Sequence, residues 1–512
     1  MALKRELDGG VVPYLHALIT AQQNRGRGGA GIGTYNGTNI EEQLRVIKAP
    51  GLVRNLFTTA GFSESDARAY LHAPIGVGHV RYPTSGNRTQ EHYELELQPF
   101  HHRAGRPDNK FLIVTNSNLA NYAELRATLE ETHQYKLDTA VDTEAIMHFI
   151  DMYHQPSKDH DFHKTFVNTM ATLARLFDGD YNIAYLDGLG NLHVVRDPLG
   201  IRPLTYAENG ELFAVASESS ALQRIGFSFP DIKPVPAGSV LSFVDGRSLI
   251  SSFADARTLD HCLQEKAVCG FEIVYFSNPA SSVDNIAVHD GRKALGVALA
   301  NTEPLLSAIR AHPEEYVVVP VPRTARPAAL ALAYELGIHY EEGIVRLEES
   351  GRTFIEEAHL RDAAVNTKYE YVWAALHGKK VILVDDSIVR GKTARGIRDG
   401  VKTIGGAAEV HLRVTAPPLK FPCPYAIDIG TFNELIATHY PDIPSLEAAL
   451  AQENGLDSVH YTPLDAFFNA FTSIGLPQQD MCTGCWTGQF PTTGGTAFVD
   501  NQRAALPPAH DV

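Results

Sequence analysis

The stretch Val381-Ile-Leu-Val-Asp-Asp-Ser-Ile-Val-Arg-Gly-Lys-Thr393 decides how the rest of the chain is read. Residues 381–384 are apolar and β-branched or leucine, as in a strand buried on both faces. Such a strand delivers Asp385 and Asp386 to the carboxyl edge of a parallel sheet, where open α/β folds bind ligands. Ser387, Ile388, Val389, Arg390 and Gly391 form the following loop, and Lys392 and Thr393 open a helix whose first N–H groups can hold a phosphate. Ser387, Arg390 and Thr393 add side-chain donors, and Gly391 permits close backbone approach. Paired acids beside a phosphate cradle suit a phosphorylated polyol and a magnesium ion, with Asp385 and Asp386 on the hydroxyls directly or through metal-bound water. A helix-capping acid alone would need far less than this. Gly391-Lys-Thr393 also mimics the end of a nucleotide-hydrolase phosphate loop, but that motif needs a glycine at position 386, which is Asp.

Working outward, residues 316–322 read as a second buried strand, 327–336 as a helix, and 409–415 as a further strand. Ile397, Val401 and Ile404 mark the apolar side of the helix between them. Strand–helix–strand alternation predicts a parallel, doubly wound α/β sheet. The first half differs. Short strands are expected at 29–35, 75–82, 111–115, 181–186 and 192–196, the last two joined by the hairpin turn Asp187-Gly-Leu-Gly-Asn191. Helices are expected at 12–24 and 143–152, the second preceded by Asp142 as a cap. This mixture predicts an α+β layered domain. Residues 251–268 read as a linker, and 492–512, rich in Gly, Thr and Pro, as a loosely ordered tail. The expected units are 1–252, 253–470 and a C-terminal extension, 471–512.

The 512 residues carry 44 basic and 60 acidic side chains, a net charge of −16. That balance argues against nucleic-acid or anionic-membrane partners, which need a basic face. No apolar core follows Met1-Ala-Leu-Lys-Arg5, so no signal peptide is expected, and no run approaches a membrane span. A cytoplasmic protein is the expectation. Five cysteines are too few for a disulfide scaffold. Cys482 and Cys485 form a C-x-x-C that, by itself, fits zinc, redox or cluster roles alike.

The 381–393 segment resembles the signature of type I phosphoribosyltransferases, and its wording is similar to that of glutamine phosphoribosylpyrophosphate amidotransferases (amidophosphoribosyltransferases). The resemblance runs collinearly through Gly78-His-Val-Arg-Tyr-Pro-Thr84, Arg196-Asp-Pro-Leu-Gly-Ile-Arg-Pro203, Ala216-Ser-Glu-Ser219, Phe271-Glu-Ile-Val-Tyr-Phe276, Gly351-Arg-Thr-Phe-Ile355 and Ile427-Asp428. It implies an N-terminal Ntn-hydrolase-type (class II glutamine amidotransferase) layered sandwich ahead of the phosphoribosyltransferase domain. It implies 5-phosphoribosyl diphosphate (PRPP) on residues 385–393 and Thr324, with Mg2+ at Thr324, Asp385 and Asp386. Ammonia from glutamine would yield 5-phosphoribosylamine for purine biosynthesis. Further implications are purine-nucleotide inhibition, a homo-oligomer, and a [4Fe–4S] cluster on Cys269, Cys423, Cys482 and Cys485, leaving Cys262 as an ordinary thiol.

In the glutamine half, Arg81 matches the family's carboxylate-binding arginine, Asn116 its oxyanion-hole asparagine, and Asp142 the acid for the substrate amino group. The family's opening Cys-Gly-Ile-Val-Gly, which supplies the N-terminal nucleophile, has no counterpart after Met1-Ala-Leu. Ser117 replaces a glycine, Asn24 a histidine, Arg323-Thr-Ala325 a typical Asp-Ser-Gly, and Leu347-Glu-Glu349 a lid Asn-Arg-Tyr that carries a cation. Two readings stay open. One is an enzyme whose upstream residues lie outside this sequence. The other is a diverged paralogue with an inactive glutaminase half, which uses ammonia or another nucleophile on PRPP or serves as a non-catalytic PRPP- or nucleotide-binding regulatory partner.

Overall fold

The computed structural model describes residues 1–4, 9–37, 43–57, 73–82, 94–103, 109–154, 161–347, 369–425, 427, 429 and 431–506. Its first half contains two antiparallel sheets packed face to face. The first sheet has seven strands, in the spatial order Lys233–Pro234, Thr205–Glu208, Leu212–Ala216, Ala2–Leu3, Ile75–Arg81, Gly29–Tyr35 and Leu44–Pro50. The second has six, from Arg247–Ser252 through Ser239–Val244, Leu192–Arg196, Gly179–Asp187 and Phe111–Leu119 to Phe100–His102.

Alternation along each strand explains the layering. Val77, Leu112, Val114, Leu186, Leu192 and Phe213 meet between the sheets. Leu15, Leu18 and Ile19 of the helix Val12–Ala21 cover the outer face of the first sheet. Ile146, Phe149 and Ile150 of Asp142–Tyr153, with Phe166 and Met170 of Phe162–Leu173, cover the second. The layered sandwich expected for this half is what forms.

The other half is built on a five-stranded sheet in which every pairing is parallel, ordered His339–Tyr340, Tyr316–Pro320, Lys380–Asp385, Glu409–Val414, Ser458–Tyr461. Val317, Val319, Val381 and Leu383 face one helix layer, with Ile397, Leu446 and Leu450. Val318, Ile382 and Val384 face the other, with Leu299, Ala328 and Leu332. The apolar runs are unbroken because both faces are covered. This is the predicted doubly wound sheet.

Four local expectations need correction. Asp142 is the first residue of its helix, with Val141 at the cap position. Its carboxylate turns back to accept the Leu119 N–H at 3.3 Å. The tail contains a helix, Thr493–Ala504, begun by Thr492, whose hydroxyl accepts the Gly495 N–H at 3.0 Å; residues 507–512 lie outside the described set. The stretch 251–268 is more than a tether, because Phe253, Ala256 and Leu259 are buried and the Leu263 N–H donates to Pro491 O. Ile404 is 53% exposed. The helix Lys392–Asp399 widens into a π-helical turn, Gly400–Ile404, which rotates that residue off the apolar side.

The two halves meet on charge as well as apolar surface. Arg196 is buried and holds Asp284 through both Nη atoms, at 2.9 and 2.7 Å, while also donating to the Val235, Gly200 and Arg202 carbonyls. The loop 197–203 packs Leu199 and Ile201 into the cluster formed by Val268, Phe271 and Ile273.

Candidate functional site

Asp385 ends the strand Lys380–Asp385 and Asp386 follows it, at the carboxyl edge of the parallel sheet. Asp386 is buried, and Ser387 Oγ donates to its Oδ1 at 2.8 Å. Burial raises the Asp386 carboxyl to about 6, against the pull of Ser387, the Arg292 charge and the Thr324 hydroxyl. Asp385 is raised further by burial and by Asp386 beside it. Two acids held this close out of water favour a cation between them. Thr324 follows the strand Tyr316–Pro320 in a turn whose Pro322–Arg323 peptide is cis. The fold thus brings Thr324 to Asp386, as the sequence proposed.

Gly391 has φ +73°, a left-handed conformation that favours glycine, and leads into the helix Lys392–Asp399. Ile388 is buried beneath the loop, and the Val389 carbonyl accepts the Ile436 N–H at 3.0 Å. Arg390 pairs with Glu434, whose other oxygen accepts the Thr431 N–H. Lys392 and Thr393 open the helix as expected.

Two cations at this site were not found from sequence. Arg292 donates to the Ile273, Tyr275 and Ser277 carbonyls, and its charge reaches Asp386. Arg346 is exposed, and its charge opposes the rise that burial, with Asp385 and Asp386, imposes on the Tyr275 and Tyr369 hydroxyls. It stands immediately before the altered lid sequence. Glu348 and Glu349, residues 351–355, Pro83, Thr84 and Asp428 lie outside the described residues.

A second cavity, partly open to solvent, lies in the first half. Arg81, Asn116, Ser117 and Asp142 all line it. Burial raises Asp142 to about 6 against hydrogen bonds from Ser117 and Leu119. Arg81 is paired with the buried Glu96, a residue that sequence reasoning missed. Buried His79 Nδ1, Asn182 Oδ1 and Arg202 Nη1 line the same cavity without hydrogen-bond partners among the described residues. The cavity lies beyond Met1, between Ile75–Arg81 and Leu212–Ala216, the strands that flank Ala2–Leu3.

The π-helical turn Glu272–Phe276 joins the two sites. Phe276 lines the second cavity and meets Tyr82 edge-on at 5.9 Å, while Tyr275 next to it feels both Asp386 and Asp385.

Cys269, Cys423, Cys482 and Cys485 line one small cavity with Ile201, Arg202, Phe271, Tyr425, Ile427, Ile429 and Phe490. Cys262 is not among its lining residues. The strands Val268–Cys269 and Met481–Cys482 pair in parallel, bringing two thiols together. Burial raises Cys269 to about 11 and Cys423 to about 12. Among the described residues no three thiols have sulfurs within 4.8 Å of one another. Four thiols lining one cavity form a donor set that fits a sulfur-ligated group.

Comparison with known proteins decides the family. The chain is 33% identical to an amidophosphoribosyltransferase of Methanothermobacter thermautotrophicus over 488 residues, 94% of this chain and 92% of the relative. The chain belongs to the amidophosphoribosyltransferase family. The family member from Bacillus subtilis is 32% identical, with 93% of this chain and 90% of that one covered. The glutamine amidotransferase domain profile matches residues 88–224. Among solved members of the amidophosphoribosyltransferase family, the B. subtilis glutamine PRPP amidotransferase complexed with ADP and GMP superimposes with a TM-score of 0.77 at 29% identity, covering 95% of this chain and 96% of that one. No helix among the described residues is long and apolar enough to cross a membrane.

Proposed function

We propose that the chain is a PRPP-dependent glycosyltransferase that forms 5-phosphoribosylamine for purine biosynthesis in the cytoplasm. The observation that carries this reading is the pair of half-buried Asp385 and buried Asp386 at the sheet edge, facing Thr324 and Arg292 and followed by the Ser387–Gly391 turn into a helix. In this reading Asp385 and Asp386 hold the ribose hydroxyls. The 387–393 amides and the helix N-terminus hold the 5-phosphate. Thr324 and the two acids hold Mg2+, and Arg346 and Arg323 face the diphosphate. Magnesium, when bound, neutralises the departing diphosphate. The amine lone pair forms the C1–N bond as the C1–O bond breaks, its electrons leaving with diphosphate, and the nitrogen loses its extra proton to solvent.

Glutamine is the amine donor when a nucleophile enters the second cavity. Asp142 takes its ammonium, Arg81 its carboxylate, and Asn116 the oxyanion. The adjacency of Phe276 and Tyr275 supports passage of ammonia between the sites. The Arg81–Glu96 pair favours the second reading, in which that half is inactive and free ammonia or another nucleophile reacts. The four thiols would hold a [4Fe–4S] cluster. Purine nucleotides are proposed inhibitors, and a homo-oligomer the proposed assembly. Calorimetric titration of PRPP with and without Mg2+, on the chain and on Asp386→Asn, tests the binding half. Binding by the chain with Mg2+ and loss in the variant are expected.

A further inference from the structure

The thiol cavity is walled by apolar and aromatic groups, and Arg202 is the one charged cation among its described lining residues. Arg202 is buried, and its Nη1 has no hydrogen-bond partner among the described residues. Its Nε lies 3.1 Å from Glu272 Oε1, and its guanidinium sits 5.2 Å from the centre of the Phe276 ring. The same side chain borders the cavity that holds Arg81, Asn116 and Asp142.

Four thiolates around a [4Fe–4S]2+ core carry a net charge of −2. Burying that charge among isoleucine and aromatic side chains costs heavily unless a cation offsets it.

We propose that Arg202 is the charge-compensating residue of the thiol site, setting the reduction potential and retention of the cluster. This rests on the iron–sulfur reading of the four cysteines. Glu272 and Phe276 anchor the guanidinium, so Arg202 is a positioning residue rather than a ligand.

The test uses the full chain purified anaerobically, alongside Arg202→Gln and Arg202→Lys. Iron and acid-labile sulfide content, the visible spectrum and an EPR-monitored redox titration are the readouts, with thermal unfolding as the control for folding. Wild type and R202K are expected to hold the cluster at similar potentials. R202Q is expected to titrate at a more negative potential and to retain iron roughly 10- to 100-fold less tightly against a chelator. Unchanged potential and retention in R202Q would overturn the proposal. If R202Q does not unfold cooperatively, R202K decides: a loss of cluster in R202K equal to that in R202Q overturns it. Wild type without iron or sulfide, even after reconstitution, instead removes the iron–sulfur reading on which it stands.

Discussion

Arg25 holds Glu272 in a two-pronged ion pair, Nη1 to Oε1 at 3.1 Å and Nη2 to Oε2 at 2.9 Å, across 247 residues of chain. Both side chains are buried, and Arg25 Nε also donates to Glu218 at 2.8 Å. Glu272 opens the turn that ends at Phe276, so this pair fixes the element shared by the two sites.

Arg25→Met leaves the buried Glu272 with Arg202 and Ser277 and takes the cation from the buried Glu218, so it should cost about 3 kcal/mol, the low end for a broken buried pair. Denaturant unfolding measures it. Despite burial, Arg202 and Arg25 hold the Glu272 carboxyl down to about 2. A depressed carboxylate contributes stability above its unfolded pKa and loses it as pH falls through the folded value. The difference between wild type and Arg25→Met should therefore persist at neutral pH and shrink from about pH 4 toward pH 2.

Asp142 gives a second pH prediction, from a shift of opposite sign. Burial raises its carboxyl to about 6. A ligand ammonium needs the carboxylate, so glutamine or glutamate affinity should be constant above pH 6 and fall about tenfold per unit below it. Asp142→Asn should bind weakly at every pH. Calorimetry between pH 5 and 8 distinguishes this from a flat wild-type profile.

Gly391→Ala should weaken PRPP binding. The position has φ +73°, and an added Cβ would lie 3.0 Å from Ile436 Cδ1. The left-handed strain alone is about 1–2 kcal/mol. A several-fold higher KM for PRPP is expected, with a smaller change in the unfolding midpoint.

The cavity beyond Met1 predicts the effect of an added strand. Ala2 lies opposite Ile75 and Phe213 in the ladder. Continuing that register, the third residue added before Met1 falls opposite His79. By alternation its side chain shares the side of Ala2, facing the intersheet layer where Leu112 and Val114 lead to Asn116. A chain extended by Cys-Gly-Ile should therefore gain cysteine-dependent glutamine hydrolysis and a higher thermal midpoint. An extended chain no better than Ser-Gly-Ile as a glutaminase would count against this geometry.

Much of this was legible in sequence. The strand at 381–384 and its terminal acids could be read because hydrophobic period, loop chemistry and helix entry agreed locally. Gly29–Tyr35 and Leu192–Arg196 matched their expected bounds for the same reason. Glu96, Arg292 and Arg346 were missed because each reaches its site through tertiary packing, with no local pattern to mark it. The 492–512 composition suggested looseness, yet Thr492 caps a helix whose entry Asp178 also holds, accepting the Gly494 N–H at 2.7 Å. Short polar residues serve loops and helix caps alike, and only the partner decides.

The central claim is amine transfer onto PRPP. The direct measurement is diphosphate release by the anaerobically purified chain with PRPP and Mg2+, supplied with ammonium, glutamine or neither. Release with ammonium, lost in Asp385→Asn and Asp386→Asn, is the predicted result; release no greater with either amine source than with none would contradict it.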